Sequence, residues 1–354
     1  MIVLRHLRFA LACAQWVSFA AAVAAPAGAA CAQGDGAVLG LYHFVRTTAN
    51  AERSFAFYHE VLGIEIVRSP FARAPPDGPP PRIASSAEAG SDPLVWNLTN
   101  TKGARFRTVF MRAPNTPFGL ELSEFFDIPR SERPANPWDP GASIIEFAVR
   151  DVDAALAAAR AHGAPVVTMG GAPVGLPDGR VVLVRDPDGN LVALMQASPA
   201  AIAAAAPGQI VATRIDITVA RTAASLAFYR DLLRLEVHAS RRAAASELRA
   251  YGVDRGTLTQ TPVVIPGVGA ALKLLEFSGA NGVVSPAPFH WKIQDVGSPQ
   301  LQLEVRGLNA LIGSTRTAGY RFLSVDAEPI ERPFGRFVFA IGPDAELVEY
   351  VEPN

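Results

Sequence analysis

The sequence predicts an α+β fold made of four βαβββ modules, and three observations carry that prediction. Ser54-Phe-Ala-Phe-Tyr58 returns as Ser225-Leu-Ala-Phe-Tyr229. A second set of matches runs at a constant offset of 156: Val149-Arg-Asp-Val152 with Val305-Arg-Gly-Leu308, Gly163 with Gly319, and Asp186-Pro-Asp-Gly189 with Gly342-Pro-Asp-Ala345. Each repeat also has the same order of signals, an alternating strand, a short amphipathic helix and two or three further strands.

The modules cover about 38–126, 140–197, 209–278 and 297–352. Their first strands are read at Leu41–Thr47, Ile144–Val149, Thr213–Val219 and Leu301–Val305 from period-two alternation. The helices follow at Ala51–Val61, Val152–His162, Ala223–Leu233 and Leu308–Ala318. Gly163 and Gly319 stand where a helix C-terminus turns left-handed. Later strands are expected at Phe106–Arg112 with Gly119–Phe125, and Arg180–Arg185 with Leu191–Gln196. The Asp186-Pro-Asp-Gly189 run reads as a turn and not as a calcium loop. Pro70–Arg82 reads as a loop between strands of the first module. Ser198–Gly208, rich in Ala and Pro, divides the chain into domains at 38–197 and 209–352.

Residues 1–32 have a different character. Arg5, His6 and Arg8 precede an apolar, Ala-rich run from Phe9 to Ala25, and Ala30-Cys-Ala32 offers a small-residue cleavage site. This is the pattern of a secretory signal peptide, so the protein is expected to be exported, periplasmic or extracellular. A membrane anchor is the alternative, but Pro26 and Gly28 interrupt the run before it reaches the roughly 20 residues of a span. No stable membrane span is expected after cleavage. Cys13 and Cys31, the two cysteines, both precede the cut, which leaves the mature chain without disulfides or thiolate ligands.

Composition narrows the partners. Hydrophobic residues make up 49% of the 354, enough for a sizeable core, and the length suggests about two domains. The 32 basic and 33 acidic residues leave a net charge of −1, which gives no electrostatic case for nucleic acid or an anionic membrane surface. The expected partner is a small molecule, bound by a monomer or a homodimer.

The Ser-(Phe/Leu)-Ala-Phe-Tyr helices, the Val149-Arg-Asp-Val-Asp153 step from strand to helix and the Asp186-Pro-Asp-Gly-Asn190 turn before a last strand carry a family resemblance. The arrangement resembles the vicinal oxygen chelate superfamily, which includes glyoxalase I, extradiol ring-cleavage dioxygenases, fosfomycin-resistance enzymes and bleomycin-binding proteins. It covers nearly all of the mature chain. It implies that modules pair into two half-open, barrel-like sheets, each able to hold a divalent metal on its floor. Each module lends one residue from its first strand and one from its last. One fold hosts many activities, so the resemblance does not choose among them.

Carried over residue by residue, the resemblance marks His43, eleven residues before Ser54, and Glu121 in module one. In module two it marks Ile144 and Ala193, which cannot bind metal. Module three offers Arg214 and Lys273, and module four Gln300 and Glu349. His43, Glu121, Gln300 and Glu349 form a donor set that suits Zn, Ni, Fe or Mn. The resemblance implies lyase or isomerase chemistry on adjacent oxygens through an enediolate, with Glu121 or Glu349 moving the proton. That set assembles only if module one pairs with four and two with three. Sequential pairing would leave half a site, with Glu349 beside the two cations, and both pairings remain open on the sequence. Exchange carries an apparent cost, because Arg214 and Lys273 would share a cleft without an acid.

Plainer readings stand beside these. His43, between Tyr42 and Phe44, also fits a hydrogen-bonded sheet residue. Gln302 shares a strand face with Gln300 and becomes the inward residue if the register slips by two. Glu124 is expected to meet solvent, and one acidic residue in Glu346-Leu-Val-Glu-Tyr-Val-Glu352 could belong to a solvated face. Arg214 and Lys273 could hold an anion or simply be solvated. His162, His238 and His290 match no site. A metal-free small-molecule-binding protein of the bleomycin-resistance type is the competing class.

Overall fold

The computed structural model describes residues 36–70, 78–177, 179–283 and 289–354. The proposed signal peptide at 1–32 lies outside them, as does part of the Pro70–Arg82 loop. The described residues form two open, twisted sheets with helices packed on them.

The first sheet has eight strands. In spatial order they are β15 (Ile330–Arg332), β16 (Gly335–Ile341), β17 (Leu347–Pro353), β14 (Pro299–Arg306), β1 (Ala37–Thr47), β4 (Gly119–Phe126), β3 (Arg105–Arg112) and β2 (Glu65–Ile66). The second has nine. Its main path is β10 (Glu236–Val237), β12 (Thr257–Ile265), β13 (Gly269–Ser278), β9 (Ile210–Val219), β5 (Ser143–Val149), β8 (Leu191–Gln196), β7 (Gly179–Arg185) and β6 (Val174–Leu176). The short β11 (Arg241–Arg242) pairs β12 off this path.

Within each module the first strand runs parallel to the last, as β1 does to β4 and β14 to β17. Between modules the two first strands pair antiparallel, β1 with β14 and β5 with β9. Module one therefore joins module four, and module two joins module three. The halves 38–197 and 209–352 are not the structural units, since each sheet takes one module from each half. The cost expected for this exchange is met by two acids, Glu146 and Asp216, that pair with the cations of the second cleft. Ser198–Gly208 carries a short helix, Pro199–Ala204, capped by Ser198 and held by Arg150, whose Nε donates to the Gly208 carbonyl at 2.6 Å.

The module helices form where their caps and apolar faces place them. Asn50 accepts from the Arg53 amide at the start of Ala51–Leu62, and Gly63 ends that helix at φ 69°. Asp151 caps Val152–Ala161 in the same way. The third differs from expectation: Thr222–Leu226 is α-helical, and Ala227–Leu232 widens into a π-helix. The fourth spans Leu308–Thr317. Their buried faces and the two sheets share one apolar core that includes Phe57, Phe147, Phe228 and Leu301. Two smaller apolar clusters lie apart from it, one around Leu183, Ala193 and Phe277 and one around Leu98, Phe337 and Phe339. Among the described residues no helix is long and apolar enough to cross a membrane.

The repeated Ser-x-Ala-Phe-Tyr motif ties consecutive modules together. Tyr58 donates its hydroxyl to Asp186 at 2.8 Å, and Ser54 donates to Asp188. In the other half Tyr229 donates to Glu346 at 2.8 Å and Ser225 to Asp344 at 3.1 Å. The Asp186-Pro-Asp-Gly189 run is a turn, as expected, with its carboxylates spent on this junction. Glu346 is 1% exposed and belongs to no solvated face. Burial and the charge of Asp344 push its carboxyl up to about 7, against the Tyr229 hydrogen bond. Removing either hydroxyl leaves a buried acid short of a donor. Tyr58→Phe and Tyr229→Phe should each cost about 1–3 kcal/mol in urea unfolding, and losses under about 0.5 kcal/mol would show the junction to be dispensable.

Candidate functional site

The exchanged pairing brings His43, Glu121 and Glu349 into one cleft of the eight-stranded sheet. Strand register explains how. His43 lies opposite Gln302 across the β1–β14 junction, and Gln302 lies level with Glu349 on β17. On the other side His43 lies level with Gly119, two residues before Glu121. The imidazole occupies the space that Gly119 leaves open, because a Cβ there would fall 1.9 Å from His43 Cδ2. Gly119 is thus required by the site.

Gln302, and not Gln300, is the amide of this cleft. The Gln302 Oε1 stands 2.9 Å from His43 Nδ1. An amide oxygen only accepts, so Nδ1 carries the proton and the ring lone pair is on Nε2. The Gln302 amide also lies near Glu121 and Glu349 and lowers both carboxyls against the effect of burial. Gln300 is buried, donates to Thr47 Oγ1 at 3.3 Å and lies apart from the cleft. The offset of 156 pairs Gln302 with Glu146, the residue that faces the second cleft. A β-bulge between Leu41 and His43 adds to the shift in register.

The electrostatics are those of crowded acids. Burial pushes Glu121 up to about 7, against hydrogen bonds from Ser123 and Gln302. Its Oε1 accepts from Ser123 Oγ at 3.1 Å, and its Oε2 is buried without a partner. Burial also raises Glu349 well above the ordinary carboxylate range, and the neighbouring Glu121 adds to this. Burial lowers His43 to about 4, with the charge of Arg112 acting in the same direction and the Gln302 contact opposing both. Glu124, expected at the surface, is buried and holds Arg107 at 2.6 Å.

A cavity of about 310 Å³ opens above these groups. Glu121, Gln302 and Glu349 line it together with Phe106, Phe110, Phe334 and Phe337. Arg332 is the cation of this lining and pairs with Asp92. Among the described residues no group of three His, Cys, Asp or Glu side chains is arranged to hold a metal ion as it stands. In this cleft the amide of Gln302 lies among the other donors. The partnerless Glu121 oxygen and two acids without an adjacent protein cation fit a divalent ion chemically.

The second cleft has replaced the same positions. Arg214 stands for His43, Lys273 for Glu121, Glu146 for Gln302 and Ala193 for Glu349. Arg214 Nε donates to Glu146 at 2.8 Å, and Lys273 lies 3.1 Å from Asp216 and 3.5 Å from Glu146. Burial pushes Glu146 up, but Arg214 and Lys273 outweigh it and hold the carboxyl below its usual range. Ile144 and Ala193 join the apolar cluster there. Glu146 and Asp216 were missed from the sequence. Each lies two residues beyond a family position, and that spacing was the available signal.

An open sheet of paired βαβββ modules with a polar floor defines a glyoxalase-like fold. Residues 40–194 match the family described as Glyoxalase/Bleomycin resistance protein/Dioxygenase superfamily. Among solved structures, glyoxalase I from Zea mays is similar with a TM-score of 0.53 at 15% identity, over 90% of this chain and 92% of that one. A glutamate-to-glutamine variant of the same maize enzyme gives 0.55 at 16%, over 90% and 94%. A putative dioxygenase from Bacillus subtilis gives 0.52 at 9%, over 90% and 86%. These likenesses concern the fold. No curated protein matches the chain.

The raised acids set the sign of a pH effect. A carboxyl near 7 in the folded chain and near its ordinary 4.5 when unfolded keeps its proton longer in the folded state. The stability this carboxyl contributes then falls as pH rises from 4.5 to 7, and Glu349, raised as well, acts in the same direction. Urea unfolding of chelator-treated protein should show this loss, with Glu121 contributing roughly 3 kcal/mol. Glu121→Gln should remove that share of the slope, and an unchanged slope would contradict the assignment.

Proposed function

We propose that the protein is an exported, divalent-metal-dependent lyase or isomerase that acts on a small substrate with two adjacent oxygens and an apolar body. The observation that carries this reading is the pair of buried acids, Glu121 and Glu349, that line an aromatic-walled cavity together with Gln302. His43, Glu121, Gln302 and Glu349 would hold the ion. Bound there, a divalent ion supplies Lewis-acid stabilisation of an enediolate. Glu121 takes a proton from one carbon and returns it to the next. Glu349 is the alternative carrier. The aromatic wall orients the substrate body and excludes water from the exchanging proton.

A metal-free binding role is the second reading. It is favoured by the Gln302 amide, which already engages His43 Nδ1.

Metal analysis of the purified protein, before and after chelation, separates the two. On the first reading His43→Ala and Glu349→Ala each abolish divalent-ion binding. Gln302→Leu weakens it by about 10- to 100-fold, whereas Gln300→Leu leaves it unchanged. Absence of metal uptake by the unmodified chain would leave the binding role. With aryl α-hydroxyketones as probes, Glu121→Gln should slow deuterium exchange from solvent by about 10²- to 10⁴-fold. Equal exchange by the variant would exclude Glu121 as the proton carrier.

A further inference from the structure

We infer that the second cleft, in the nine-stranded sheet, is a separate binding site for a small organic carboxylate. Its cavity has a volume of about 200 Å³. The amide of Gln260 lines it, and that residue is only 5% exposed. The hydroxyl of Tyr251 also belongs to a lining residue. Among the described residues, neither group has a hydrogen-bond partner. Both residues thus offer donors that a ligand in the cavity can engage.

The chemistry of the lining selects the ligand. The acids are already engaged: Glu146 by Arg214 and Lys273, and Glu247 by Arg241. The donors are not exhausted. Lys273 has three N–H groups and two carboxylate partners. Arg214 contacts Glu146 and Met195 through Nε and Nη2, and its Nη1 edge has no protein partner among the described residues. With the Tyr251 hydroxyl and the Gln260 amide nitrogen, the cavity presents a surplus of donors. One carboxylate oxygen can accept from Arg214 Nη1, and the other from Lys273 or the Tyr251 hydroxyl. Leu176, Val181 and Met195 receive a short apolar body.

The test uses the full chain titrated with benzoate and butyrate, and with benzamide and butyramide as uncharged controls, followed by calorimetry. The acids should bind saturably and the amides at least about tenfold more weakly. The double variant Tyr251→Phe/Gln260→Leu should lose about tenfold in acid affinity, because it removes two of the ligand's donors. It should melt no lower than the unmodified chain, because neither group has a protein partner. Arg214→Lys, which keeps a charge beside Glu146 but loses the Nη1 donor, should also weaken binding. Glu349→Gln, in the other cleft, should leave acid binding unchanged. The proposal is overturned by absence of saturation at millimolar acid, by equal affinity for the amides, or by undiminished binding in the double variant. A lower melting temperature of that variant, or loss of binding with Glu349→Gln, would overturn it as well.

Discussion

The arrangement depends on hydrogen bonds from one helix face to the acidic turn of the next module. A buried carboxylate is tolerated when donors surround it. Asp186 receives Tyr58, Asn190 and two backbone amides, and Asp188 receives Thr48, Ser54 and Arg53. Asp344 and Glu346 repeat the design with Ser225 and Tyr229. Consecutive modules are thereby fixed to each other across the shared core. Their outward edges remain available to pair with modules from the other half of the chain. The matching geometry of the two junctions sets both sheets at once.

Exchange of partners then decides what each cleft contains. The β1–β14 junction sets His43 opposite Gln302 and so joins residues far apart in the sequence. The β5–β9 junction sets Glu146 opposite Arg214. In the first cleft the acids lack a nearby cation and rise toward neutrality. In the second, cations and acids compensate one another, and Lys273 retains its charge despite burial. Such a cluster persists because removing any one member leaves another charge uncompensated.

Much of the fold was legible in the sequence. Period-two alternation placed the first strands to within a few residues, and β8 at its observed bounds. Gly163 and Gly319 marked the ends of two helices. Module pairing was not legible, since the connections permit either arrangement and the deciding acids sit inside hydrophobic strands. Glu146 in Ile144-Ile-Glu-Phe147 looks like an interruption of a core strand until Arg214 is placed opposite. Gln300 and Gln302 show the limit of period-two reasoning. Both occupy one strand face, and only partner strands tell which faces the cleft. Glu124 and Glu346 were hidden for a related reason: burial of an acid depends on a distant donor, Arg107 or Tyr229, that local pattern cannot identify.

The two clefts show how one scaffold can hold opposite electrostatic solutions. At equivalent positions His43 becomes Arg214, Glu121 becomes Lys273, Gln302 becomes Glu146 and Glu349 becomes Ala193. No single one of these changes is neutral by itself. Lys273 without Glu146 or Asp216 would be a buried, unpaired cation, and Glu146 without Arg214 an unpaired acid. The second cleft is therefore a coherent set, and its charge balance depends on residues contributed by modules two and three together. The same dependence links Glu121 and Glu349 across modules one and four. Each cleft draws its chemistry from both halves of the chain, so duplication alone was insufficient to make either one: the halves had to be interleaved.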